Sequence, residues 1–407
     1  PVHRTGHWDS ATPYAGSPDS WMHKLRNAGI NTTSIGKLHY RSTDDDNGWS
    51  DEILPMHVLN GQGWTRGLLR GPGETWPEAA ELAADVASDT TEYTDYDAAV
   101  TKAAETWLQS DKTNNPFALW VSFLSPHYPL TARPEYLARF NPDDMDDPIG
   151  YAPDQRPDHP EIAEIAGFFS YDIHFNRQRM KEARAAYYAL TAYMDDNVAR
   201  VLKALEASGK ADDTLVIYCS DHGELLGDHG LWTKQVMYEG SAGAPLILSG
   251  PGIPAGQARS TAASLLDIYP TALAAFGLDA SDHPGDDLAA LANAPDDPNR
   301  TAFSEYHDGG STTASFMVRW GDWKYVHYVG HRPQLFNLIE DPDELTDRAS
   351  DPSAAATLAE GEARLRAICN PEEVNKAAFD SQRARIKELG GPDACRVSFN
   401  HTPAPTG

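Results

Sequence analysis

Residues 215–239 read LVIYCSDHGELLGDHGLWTKQVMYE. Leu215 to Cys219 is a short apolar run rich in β-branched and aromatic residues, a pattern that predicts a buried strand. The run stops at Ser220, and the polar cluster Asp221-His222-Gly223-Glu224 follows at once. Ligands of open α/β sheets gather just beyond the carboxyl ends of strands, so chemistry is expected here. Asp221 offers a hard anionic oxygen and His222 an imidazole nitrogen. Side by side on a strand-end loop they can meet one metal ion. Lys234, beyond the loop, would bring a positive charge to an anion held by that metal. The plain alternative is that Asp221 and His222 cap the next helix.

Upstream, Phe117–Leu124 (FALWVSFL) is a continuous apolar run that predicts a buried parallel strand. His127 follows just past its end, in Ser125-Pro126-His127-Tyr128-Pro129, where the prolines stiffen the loop. Asn31–Ile35 predicts another strand, after a helix over Trp21–Ala28 capped by Ser20. It leads into Gly36-Lys37-Leu38-His39-Tyr40. If this stays extended, Lys37 and His39 share one face, because side chains alternate with period two. A cation and an imidazole on one face can grip an oxyanion or protonate a leaving oxygen. The alternatives are a solvated strand edge for that pair and a satisfied loop histidine for His127. Thr43–Ser50 (TDDDNGWS) has the composition of a calcium loop but lacks the later bidentate Glu, and reads as a solvated acidic turn.

Helical periodicity marks Tyr93–Gln109 and Lys181–Gly209. Between them, residues 131–161 are rich in Pro and Asp and read as a long surface excursion of the kind that forms lids or substrate walls. Ala244–Leu248 predicts a further buried strand and Ser264–Phe276 a helix. The polar stretch Ser281–Asn299 marks a boundary between a main domain, 1–290, and a smaller C-terminal unit, 291–407. In the latter, Thr301–Tyr306, Ala314–Arg319, Trp323–Tyr328 and Gln334–Asn337 alternate with turn residues between them, which predicts a small antiparallel sheet. Ala354–Ile368 and Glu372–Leu389 read as amphipathic helices. The closing NHTPAPTG is an extended tail and a candidate for subunit contact in a homo-oligomer.

The chain has 407 residues, enough for one large domain with a smaller appendage. With 33 basic against 60 acidic residues the formal net charge is −27, which argues against nucleic acid or an anionic membrane as partner. An anionic substrate then requires a locally positive site, and Lys37 and Lys234 are the expected source. No apolar run approaches the ~18 residues of a membrane span. No signal-peptide pattern is present, and because the chain opens at Pro1 rather than Met the compartment stays open. Three cysteines are too few for a disulfide framework. Cys219 reads as a small apolar filler on its strand, and pairing of Cys369 with Cys395 is left open.

Four segments in order, GKLHY at 36–40, SPHYPL at 125–130, SDHGE…GDHGLWTK…MYE at 220–239 and WGDWKYVHYVGHRPQLFNLIEDPDEL at 320–345, resemble the type I sulfatases of the alkaline phosphatase superfamily. The resemblance implies an α/β fold with a mixed central sheet between helices and a small C-terminal α+β subdomain. It implies hydrolysis of a small sulfate ester with one divalent metal ion (Ca, Mn or Mg) bound by Asp221 and His222. Relatives with Asp-His rather than Asp-Asn there point to the branch with choline sulfatases and phosphonate monoester hydrolases. Lys37 and Lys234 would bind sulfate oxygens. His39 lies where family members orient the nucleophile, and His127 would contact sulfate and protonate the leaving group.

The nucleophile of that family is a formylglycine made from Cys or Ser in a C/S-x-P/A-x-R motif. No such motif occurs in this chain, and Cys219, Cys369 and Cys395 have the wrong neighbours. The opening PVHRTGHWDS resembles the stretch that follows that motif, so the resemblance places the nucleophile, and two metal-binding aspartates, upstream of Pro1. Ser10 falls near a position where relatives carry an Asn that touches substrate. His307 is a second candidate substrate contact, and His229 a weaker one. The alternatives are a phosphonate or phosphate ester hydrolase of the same superfamily and an inactive anion-binding relative. The Lys-x-His pair at 37–39 speaks for the sulfatase, and the joint presence of Lys37, His39, His127, Asp221, His222 and Lys234 speaks against the inactive relative.

Overall fold

The structure is a computed structural model that describes residues 1–397. Its strands, in chain order, are β1 (Asn31–Lys37), β2 (Asp51–Met56), β3 (Ala87–Ser88), β4 (Phe117–Ser122), β5 (Thr131–Ala132), β6 (Val216–Cys219), β7 (Leu246–Ser249), β8 (Ala302–Tyr306), β9 (Ser315–Trp320), β10 (Trp323–Tyr328) and β11 (Gln334–Asn337). β2, β1 and β4 form a parallel sheet in that order, and β6 and β7 form an antiparallel pair. Helices cover both faces of the parallel sheet. Ile35, Leu119 and Val121 join Val100 and Trp107 of the helix Glu92–Leu108. Trp120, pointing the other way by strand alternation, meets Trp21 at the start of the helix Trp21–Asn27. The resulting mixed α/β core matches the expected fold class.

Local chemistry sets the helix starts. Thr91 accepts from the Thr94 amide, and Asn176 accepts from the Arg179 amide at 2.9 Å to open the long helix Arg177–Ala207. Such caps satisfy backbone donors that have no partner inside the helix.

The C-terminal sheet is antiparallel, ordered β11-β10-β9-β8. Its alternation divides the side chains. Phe316, Val318, Trp320 and Tyr325 pack with Leu365 of the helix Ala355–Ile368. Met317, Val326, Tyr328 and Phe336 face the main core beside Leu225, Trp232 and Tyr238. Lys324 belongs to this second face by period and is completely buried on it.

Several expectations need correction. β4, β6 and β7 are not fully buried: β4 and β6 are half-exposed along their length, and Ile247 is 59 % exposed. Among the described residues β4 pairs only with β1 and β6 only with β7, so each keeps one open edge. β2 forms inside a stretch that carries no strand signal of its own, because pairing with β1 supplies the order. The excursion at 131–161 contains short elements and runs into the buried helix Pro160–Phe169. Part of it docks on the 227–231 turn, with the Ile149 amide donating to Asp228 at 2.9 Å and the His229 amide to the Ile149 carbonyl at 2.6 Å. In the acidic turn, Asp45 and Asp46 are paired with Arg41 and Arg26. Cys369 and Cys395 are both free thiols. No described helix is long and apolar enough to cross a membrane. The tail expected at a subunit contact lies outside the described residues.

Candidate active site

Three chain segments converge beyond the carboxyl ends of β1, β4 and β6. The first does not stay extended. β1 ends at Lys37, Gly36 takes φ 110° and His39 φ 58°, so period-two alternation is not what relates Lys37 to His39. A Cβ at Gly36 would lie 2.1 Å from the Ser122 carbonyl, which requires glycine at this crossing with β4. The turn is held by the Leu38 and His39 amides, which donate to the Met56 carbonyl at 3.2 and 2.8 Å. Lys37 still acts on His39: burial, then Lys37 and Lys234, push the His39 imidazole down to about 3.

The second segment carries His127. Asp97, buried on the helix Glu92–Leu108, accepts from the Leu124 and Ser125 amides at 2.7 and 2.9 Å and fixes the start of the loop. The His127 ring lies against Tyr128, with centroids 4.1 Å apart. Its Nδ1 meets the Tyr128 carbonyl at 2.7 Å, which assigns the proton to Nδ1. Nε2 is then an acceptor, and Lys234 Nζ stands 3.3 Å from it. Burial, then Lys234 and Lys37, keep this imidazole well below its ordinary range, so it is neutral at pH 7.

The third segment follows β6. Ser220 Oγ donates to the His222 carbonyl at 2.8 Å, and the His222 amide donates to Asp221 Oδ1 at 3.1 Å. His222 Nδ1 meets the Gly223 carbonyl at 2.7 Å, which leaves the Nε2 lone pair free, 3.5 Å from Asp221 Oδ2. Asp221 opens to the cleft over 70 % of its side chain. Burial raises its proton affinity, but His222, Lys37 and Lys234 outweigh that and lower it, so it is a carboxylate. Burial, then Lys234, push His222 down to about 4.

A neutral imidazole lone pair beside an ionised carboxylate fits a divalent cation. Among the described residues no cluster of three or more His, Cys, Asp or Glu is arranged to hold one, so Asp221 and His222 supply part of a coordination shell.

Lys234 is half-buried among these groups. Burial and Lys37 lower it to about 8, while Asp221, Glu224 and Asp308 pull the other way. Glu224 is half-buried and accepts from the Thr233 amide.

The remaining candidates make the following contacts. Ser10 is exposed, and its hydroxyl and amide both donate to Asp308 Oδ2, at 2.7 and 2.9 Å. His307 is fully enclosed, with Nε2 3.0 Å from Glu305 and the ring edge-on to Trp8. His229 stacks on Tyr238 with centroids 4.2 Å apart. The sequence reading missed Asp97, Glu224 and Asp308. A carboxylate inside an otherwise apolar helical face, as at Asp97, was the available signal.

The sulfatase family profile matches residues 2–278, and a profile described as N-sulphoglucosamine sulphohydrolase, C-terminal, matches residues 227–370. The chain belongs to the sulfatase family. This sulfatase is 30% identical over 401 residues to a choline-sulfatase of Rhizobium meliloti (strain 1021), covering 94% of this chain and 78% of that protein. It is 30% identical over 416 residues to arylsulfatase K of Danio rerio, covering 95% of this chain and 76% of that protein. Among solved structures, BT4656, in complex with its substrate D-glucosamine-2-N,6-O-disulfate, superposes with a TM-score of 0.70 at 20% identity, over 93% of this chain and 86% of that one. The phosphonate monoester hydrolase of Agrobacterium radiobacter gives 0.67 at 24% identity, over 90% and 83%. These two likenesses concern the fold. The sulfatase is thus an enzyme of sulfate ester hydrolysis, and the open matters are how its residues share the work.

Proposed function

We propose that this sulfatase cleaves a small sulfate ester in the cleft between Lys37, His127, Asp221 and Lys234, with a formylglycine nucleophile contributed from upstream of Pro1. The observation that carries the reading is the Lys234–His127 contact of 3.3 Å, a half-buried ammonium against a neutral imidazole in a protein of net charge −27. Drawing an ammonium partly out of water is unfavourable unless an anion or polar acceptor meets it, and a sulfate group is such an anion.

Asp221 and His222 would hold the divalent cation (Ca, Mn or Mg), which when bound supplies a Lewis acid for the sulfate oxygens. Lys37 and Lys234 neutralise the non-bridging oxygens, and at an enclosed site that attraction is far stronger than in water. Negative charge brought against His127 raises the proton affinity of its Nε2, and Lys234 Nζ is the nearest proton source. The pair thereby carries a transferable proton for the departing oxygen. His39, neutral and held by the backbone of β2, would orient the nucleophile.

The test is intact-mass and N-terminal analysis of the native protein, followed by parallel rates on an aryl sulfate and a phenylphosphonate ester. A Cys-to-formylglycine mass change and preference for the sulfate support the reading. A preference for the phosphonate overturns it. Asp221→Ala should abolish metal-dependent turnover, and unchanged turnover would remove Asp221 from the mechanism.

A further inference from the structure

Lys324 stands outside the cleft, on the inner face of β10, and none of its side chain reaches solvent. An ammonium has three N–H donors, and here each has a partner: the Met237 carbonyl at 2.9 Å, Glu344 Oε1 at 2.8 Å and Glu239 Oε1 at 2.6 Å. The second oxygen of Glu344 accepts from the Glu239 amide at 2.6 Å. The C-terminal unit therefore grips the backbone at 237 and 239 with directed bonds as well as apolar contact.

That grip reaches the cleft through Ser241, which is buried. Its Oγ donates to the carbonyl of Lys234, and its carbonyl accepts from the Gly223 amide at 2.7 Å. Gly223 follows His222 directly, and a Cβ there would lie 2.3 Å from the Gly240 carbonyl, so the two backbones touch. Segment 237–241 is thus a brace with Lys234 on one side and Asp221-His222 on the other. The family profile for the C-terminal part spans residues 227–370, so this brace and β10 fall within one profile match.

A buried ion cluster is a poor device for stability alone, since apolar side chains of similar volume do as well or better. Its bonds instead fix position. We infer that Lys324, with Glu344, is a positioning residue of the sulfatase site, setting the register of 237–241 and through it the placement of Lys234 against His127. The inference rests on the reading of Lys234 as a sulfate ligand.

The test uses the 407-residue chain and inorganic sulfate, titrated by calorimetry well below the unfolding temperature. Lys324→Met combined with Glu239→Gln and Glu344→Gln removes the ions while leaving residue 344 an acceptor for the amide at 239. Sulfate should bind about 10- to 100-fold more weakly, the usual effect of losing a supporting partner. Glu344→Ala should weaken binding, and Glu344→Gln should restore most of it. Val318→Ala, buried on the opposite face of the same sheet, controls for stability and should leave sulfate affinity unchanged. A second readout needs no ligand: the His127 ring-nitrogen NMR shifts should move in the triple variant and not in Val318→Ala. A folded triple variant with wild-type shifts overturns the inference. If the wild-type chain binds no sulfate, the sulfate role of Lys234 falls, and the NMR comparison still decides whether Lys324 positions it.

Discussion

Lys234 and His127 lie 107 residues apart in the chain, yet Lys234 Nζ reaches within 3.3 Å of His127 Nε2. The contact unites the loop after β4 with the loop after β6, two strands that share no backbone pairing. If this pair binds sulfate, Lys234→Met should lower kcat/KM by about 100- to 1,000-fold, the range seen when one charge-stabilising donor is lost. The far-ultraviolet circular dichroism should stay unchanged. Equal kcat/KM in the variant would place Lys234 outside the reaction.

The pH dependence of binding follows from the same lysine. Lys234 is lowered to about 8 by burial and by Lys37. Only its charged form attracts the anion, so sulfate affinity should fall as pH rises through about 8, well before an ordinary lysine at about 10.4 loses its proton. Lys37→Met removes one of the lowering charges and should shift this fall to higher pH. Calorimetric titration across pH 6 to 10 reads both effects.

Acid should destabilise the fold through the imidazoles of the cleft. His39 and His222 are pushed down to about 3 and about 4 by burial and by the lysines. Unfolded, each takes a proton near pH 6.5, so the unfolded state binds more protons between 6.5 and those values and stability declines as pH falls through that window. Asp9 and Glu224, raised to about 6 by burial, act in the opposite sense, because the folded state takes up their protons first. His222→Gln, at the half-buried imidazole of the pair, should therefore lose less stability than wild type between pH 6.5 and 4, measured by urea unfolding.

Asp97 gives a test of loop placement. Its carboxylate satisfies the Leu124 and Ser125 amides. Asp97→Ala leaves both without that partner and should cost about 3 kcal/mol. It should also raise KM, because the loop it anchors carries His127.

Gly36→Ala should be more disruptive than its size suggests. The added methyl would meet the Ser122 carbonyl at 2.1 Å, and φ 110° is unfavourable for any residue with a Cβ. We expect a loss of about 2 kcal/mol or more, read as a lowered midpoint of thermal unfolding.

The sequence exposed what is local and repetitive. The runs at 117–124 and 215–219 become β4 and β6, the long periodic segment becomes the helix Arg177–Ala207, and period-two alternation locates β8 to β11. The recurring motifs named Lys37, His39, His127, Asp221, His222 and Lys234 as a group, and their charges do act on one another in space. What escaped depends on distant partners. β2 exists because β1 lies beside it, and the exposure of β4 follows from an edge no local pattern records. Gly36 and His39 leave the extended region, which alternation cannot foresee. Lys324 did leave a mark: within WKYVHY it occupies an inward position with Val326 and Tyr328.

Among the described residues β4 and β6 each pair along one edge only, which bears on how the 407-residue chain behaves in a concentrated solution. A row of unpaired amides and carbonyls is a template for a strand from another molecule. The charge of −27 opposes such encounters by mutual repulsion, but that repulsion is screened within about 8 Å at physiological salt. Colloidal stability should thus be greatest in dilute, mildly alkaline buffer. Near the isoelectric point of about 4.8, where repulsion vanishes, strand-to-strand clustering and precipitation should set in.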